Sequence, residues 1–94
     1  MNSLTLTQPK FAIGQTVSDR VWLRHGEILN DTEAAGDPNC IPVIHIGIIT
    51  GLWLDAGQTD TWEYQTYWHT QIINDQRHPV GLVDTANESA LSVI

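Results

Sequence analysis

The stretch "IPVIHIGIITGLWLD", Ile41–Asp55, is the most apolar run of the chain, and its alternation decides the fold. Counting by twos along an extended strand places Ile44, Ile46, Ile48, Leu52 and Leu54 on one face. His45, Gly47, Ile49, Gly51 and Trp53 take the other. This predicts His45 on the face away from the isoleucine row, at the surface. The two glycines share its face, where a missing side chain permits a bend, a bulge or the close approach of another backbone.

Working outward, "DAGQTD" (residues 55–60) reads as a turn. In "TWEYQTYWH" (residues 61–69), Trp62, Tyr64, Thr66 and Trp68 alternate with Glu63, Gln65, Tyr67 and His69. This is the clearest period-2 signal in the chain, and it predicts a hairpin with a loop of about six residues. Upstream, "FAIGQTVSDRVWLR" places Val17, Val21 and Leu23 on one face of a strand and Ser18, Arg20, Trp22 and Arg24 on the other.

Residues 25–42 are rich in Gly, Asp, Asn and Pro and predict a long loop with one turn of helix in its middle. A turn around residues 74–79 and a short strand over residues 80–84 follow. The tail has two open readings, a short helix capped by Thr85 with Glu88 three residues on, or a strand over residues 89–94. Residues 1–10 are expected to be a flexible lead-in, leaving residues 11–94 as one domain.

The chain has 94 residues, of which 41% are hydrophobic and 16% charged, a composition that folds. A net charge of −7 with four Lys plus Arg disfavours nucleic acid and anionic membrane surfaces and leaves a neutral or basic protein as the easier partner. The opening residues lack the pattern of a signal peptide, and no stretch reaches the roughly 18 apolar residues of a spanning helix. One cysteine, Cys40, excludes an intramolecular disulfide. The expectation is a cytoplasmic protein without a cofactor.

Short strands, turns and a glycine-bent apolar strand favour an all-β fold, a small barrel of about five short antiparallel strands. "FAIGQTV" (Phe11 to Val17), "GIITGL" (Gly47 to Leu52) and "WEYQTYW" (Trp62 to Trp68) resemble, in order, the F-x-[IV]-G-x-x-V, G-x-[IV]-x-G and W-x-Y pattern of SH3-like small barrels. That superfamily includes KOW and Tudor modules and accessory subunits of multiprotein enzymes. The resemblance covers Phe11 to Val83 and implies a fold; the basic residues of KOW modules and the ALYDY signature of peptide-binding SH3 domains are not matched, so no functional residue is carried over. The chain is also similar to short cyanobacterial proteins, a likeness that implies no activity.

Candidate chemistry is thin. Cys40 lacks a local signature pairing it with a base. Among His25, His45, His69 and His78, only His45 and His69 are expected to stand as cross-strand neighbours, the one geometric reason to consider a metal pair, and a surface histidine is the simpler reading of each. Asp31, Glu33 and Asp37, with Gly36, follow part of a calcium loop, but Ala35 and Pro42 stand where ligands are needed, so a solvated acidic loop is expected. Asp19 and Glu63 read as solvent-face charges, and Asp84 as a turn or capping residue.

The four tryptophans carry more information. Trp62 and Trp68 share a face with Tyr64 and are expected in the core, whereas Trp22, Trp53 and Tyr67 fall among polar neighbours. Those three are the candidate contact patch of a non-enzymatic interaction module or accessory subunit that binds a protein partner or a second copy, most simply as a homodimer. The alternatives are a methyl-ammonium or small-ligand binder with an aromatic cage closed by an acid such as Glu63, and a small hydrolase or metal enzyme built on His45, His69 and Cys40.

Overall fold

The structure, a computed structural model, describes residues 8–55 and 61–94. The expected turn at 55–60 therefore lies, from Ala56 onward, outside the described residues, as do the first seven residues of the lead-in. The fold is all-β, an antiparallel sheet curled into a half-barrel. Its strands are β1 (Thr16–Arg24), β2 (Glu27–Leu29), β3 (Ile41–Asp55), β4 (Thr61–Ile73) and β5 (Gln76–Asn87), in the spatial order β2-β1-β3-β4-β5. A short β6 (Ser92–Val93) returns to pair with β1 at Val17 and Ser18. Strands β3, β4 and β5, of 15, 13 and 12 residues, are longer than the short strands expected, and the radius of gyration, 15.2 Å, exceeds the about 12 Å of a compact domain this long.

Two tight turns shape the sheet. His25 and Gly26, both at positive φ, join β1 to β2, and Asn74 and Asp75, also both positive, join β4 to β5. Paired positive φ at the centre of a two-residue loop matches the twist of the flanking strands. The expected loop 25–42 therefore begins as a hairpin, and the expected turn 74–79 shrinks to two residues with β5 starting at Gln76. The helical turn expected within the loop is α1 (Asp31–Ala34), held by a reciprocal capping box in which Asn30 accepts from the Glu33 N–H and Glu33 accepts from the Asn30 N–H.

The core lies on the inner face and joins Phe11, Val17, Ile49, Tyr64, Trp68 and Leu91, with Leu52 and Trp62 packed against it. Tyr64 and Trp68 are buried, as their alternation predicts. The faces of β3, however, are reversed with respect to burial. Val43, His45, Gly47 and Ile49 are buried on the inner face, while Ile44 is exposed and Ile46 and Ile48 are half-buried on the outer one. A bulge between Ile49 and Gly51 then inserts Thr50, so Leu52, opposite Tyr64, turns inward with Ile49.

One end of the half-barrel is closed by both ends of the described chain. After β5 a 3-10 turn at Glu88–Ala90, capped by Asn87, carries Leu91 into the core. The tail thus combines a turn with a strand, and its cap is Asn87, because Thr85 lies within β5. The Tyr64 hydroxyl donates to Glu88 Oε2 at 2.6 Å, and the Lys10 N–H donates to the same oxygen at 3.0 Å. Phe11 meets the Tyr64 ring edge-on and donates its N–H to the hydroxyl.

Burial and the Glu88 hydrogen bond push the Tyr64 hydroxyl up to about 12, so it remains a donor through the neutral range. Burial alone would raise the Glu88 carboxyl, but the bonds from Tyr64 and Lys10 outweigh it and hold the carboxyl below its ordinary 4.5. A depressed acid stabilises the fold fully above its unfolded value, and that contribution is lost as pH falls through the lower folded value. Acid titration followed by near-ultraviolet circular dichroism is therefore expected to show the Tyr64 signal relaxing below pH 4.5, with Glu88→Gln lacking that step. An unchanged titration in Glu88→Gln would remove the closure from this role.

Candidate functional site

Two surfaces concentrate functional chemistry. On the inner face, β1, β3 and β4 bring Asp19, His45 and Gln71 to one level, since His45 lies opposite both Asp19 and Gln71. His45 Nδ1 stands 3.2 Å from Asp19 Oδ1, and its Nε2 stands 3.1 Å from the Gln71 amide nitrogen. With the amide donating to Nε2, the ring proton sits on Nδ1 and is donated to Asp19. The ring also stacks on Trp68, 5.7 Å between centroids.

His45 is 5% exposed, so the expected surface histidine is corrected. Asp19 is in phase with Val17 and Val21 and faces inward, correcting its reading as a solvent-face charge. Asp84 also differs from expectation, lying mid-strand in β5. Together with Val21, Trp68 and Leu82, the residues Asp19, His45 and Asp84 line a groove of about 210 Å³ at the open part of the half-barrel.

The metal and nucleophile candidates are separated. His69 is the extra residue of a bulge in β4, exposed and bonded to Thr70, and is not the cross-strand neighbour of His45. Asp31 accepts from the Trp22 indole, Glu33 serves the capping box, and Asp37 pairs with Arg24 at 2.7 Å, so the three acids of the calcium-like loop serve the fold. Among the described residues no three His, Cys, Asp or Glu side chains gather into a metal-sized group. Burial first, and the Asp37 carboxylate second, raise the Cys40 thiol above its ordinary value, the reverse of nucleophile activation.

The second surface is the outer face. Ile44, Ile46 and Ile48 of β3 lie opposite Ile72, Thr70 and Tyr67 of β4, and Tyr67 lies opposite Val83 of β5. This forms a band in which Ile44 is 39% exposed, Tyr67 38% and Val83 66%. Beside it, Arg20, Pro42, Ile44, Ile72, Asn74 and Asp75 line a depression of about 400 Å³. Arg20 is held over the Trp22 ring, 5.3 Å from its centroid, which keeps the guanidinium at the rim of the depression.

The three contact residues expected from sequence all lie on this face but do not converge. Trp22 lies opposite Pro42 at one end, Tyr67 opposite Ile48 in the middle and Trp53 opposite Glu63 at the other end. At the rise of an extended strand, Trp22 and Trp53 are separated by roughly 30 Å. They therefore form no cage, and the Glu63 carboxylate already accepts from Asn87. The isoleucines between them, assigned to the core side by simple alternation, supply the apolar continuity. The signal that would have found them is an apolar run with both phases filled.

No protein-family model, curated protein or solved structure matches the chain. Among the described residues no helix is long and apolar enough to cross a membrane.

Proposed function

We propose that the chain is a non-enzymatic protein-interaction module, or accessory subunit, that docks a partner protein on the outer face of β3, β4 and β5. The observation carrying this reading is that β3 is apolar on both faces while the core covers one of them. An apolar band rimmed by polar groups is the usual character of a contact surface. Ile44, Ile46, Ile48, Ile72 and Tyr67 form its centre, with the depression at Pro42 as a socket for an apolar anchor. A cytoplasmic setting belongs to the same proposal, because a single half-buried thiol needs no oxidising compartment.

Ile46→Lys tests it. The lysine stem lies along the face while its charge reaches water, so the fold is expected to survive, as judged by an unchanged near-ultraviolet spectrum. Affinity purification from native lysate is expected to recover a stoichiometric partner with the original chain and to lose it with Ile46→Lys. Equal recovery by both would remove the outer face from the proposal.

A further inference from the structure

β5 is the terminal strand of the sheet, pairing with β4 alone, and its other edge is open along Gln76–Asn87 among the described residues. Leu82 and Val83 stand 46% and 66% exposed there. An open edge of this length and apolar character is a template for another strand. We infer that the occupant is the β5 edge of a second copy, paired antiparallel about a two-fold axis at Gly81.

The reason is a self-complementary sequence. A continuous antiparallel sheet with two-fold symmetry requires opposed residues to share a face, so a residue of β5 meets only residues of its own parity. With Gly81 on the axis, Val80 meets Leu82 of the second copy, Pro79 meets Val83, and His78 meets Asp84, each pair occurring twice. Moving the axis to Val80 sets Leu82 against His78 and Val83 against Arg77. Moving it to Leu82 sets Val80 against Asp84. Only the Gly81 register opposes apolar with apolar and an imidazole with a carboxylate.

Two local features fit this register. Gly81 keeps the axis uncrowded, and the Tyr67 hydroxyl reaches over it, 3.5 Å from where a Cβ would lie. Pro79 withholds one N–H donor from each half of the ladder, which keeps the pairing short and reversible. The contact lies at the sheet edge, so it succeeds or fails separately from docking on the outer face, and Ile46→Lys is expected to leave it intact.

The test combines a charge exchange with a cross-link. Sedimentation over a micromolar to millimolar series is expected to show a monomer–dimer equilibrium, weakened at least about tenfold by His78→Asp, which opposes two carboxylates twice. The double variant His78→Asp, Asp84→Lys re-creates opposite charges and is expected to recover the dimer. In a Cys40→Ser background, Gly81→Cys places two thiols across the axis within disulfide reach, and mild oxidation is expected to give a covalent dimer. Its fold is expected to hold because the added Cβ meets only ordinary contact distances. A monomer throughout the series, an undiminished dimer in His78→Asp, or no cross-link in folded Gly81→Cys would each overturn the inference.

Discussion

Replacing Gly47 with alanine is expected to leave the chain without a cooperative unfolding transition. A Cβ at this position lies 2.8 Å from the Trp68 Cα and overlaps the Tyr67 carbonyl oxygen, both fixed parts of β4. A backbone neighbour cannot rotate away as a side chain does. Gly47 sits where the β3–β4 register shifts and His69 is the extra residue, so the strands cross in contact there. The cost is expected to exceed the roughly 1–3 kcal/mol of ordinary overpacking, against a total stability of about 5–15 kcal/mol for a domain.

Gly51→Ala is the control, since its Cβ meets the Gln65 side chain at 3.6 Å and is expected to change stability by less than about 1 kcal/mol. Urea unfolding of the two variants checks this contrast. Equal midpoints would show that the bulge relaxes and that close approach at Gly47 is dispensable.

Tyr64→Ala is expected to be the next most damaging change. The ring is fully buried, touches Phe11 edge-on and fills the centre of the core, so its removal is expected to cost about 3–5 kcal/mol. The hydroxyl has a separable role, because it ties Phe11, before β1, and Glu88, after β5, to β4. Tyr64→Phe keeps the ring and is expected to lose about 1–3 kcal/mol, the cost of leaving polar partners unpaired. Denaturant melts of both variants separate ring from hydroxyl. A phenylalanine variant as stable as the original chain would show that the closure rests on apolar packing alone.

The strands and the inward aromatic row Tyr64 and Trp68 were legible because their neighbours alternate in polarity. β3 was legible as a strand but not in its facing, since apolar residues fill both phases and alternation alone cannot choose between them. The bulge at Thr50 compounds this by moving Leu52 to the side of Ile49, a shift that counting by twos cannot register. His45 had a readable signal that simple hydropathy passes over. Asp19 lies in phase with Val17 and Val21, and a polar partner on the core phase of a neighbouring strand is what a buried histidine needs.

The tight turns were hidden for a different reason. His25–Gly26 and Asn74–Asp75 are residue types that tolerate positive φ, but each lies in a longer polar stretch, and only the strand pairing on either side marks which two residues form the turn. Trp22 and Tyr67 lie on the faces that alternation assigns them. Trp53, counted with His45 and Ile49, reaches the outer face only because the bulge at Thr50 shifts its phase, and only the strand registers show how far apart the three stand.

The outer face can be tested without knowing any partner, by recording isoleucine methyl resonances of the isolated chain during addition of a soluble gadolinium chelate. Ile44, 39% exposed, is expected to broaden strongly, while Ile49, 1% exposed, stays sharp. Broadening of Ile49 with protection of Ile44 would mean that the isoleucine row faces the core, and the proposed contact surface would be lost with it.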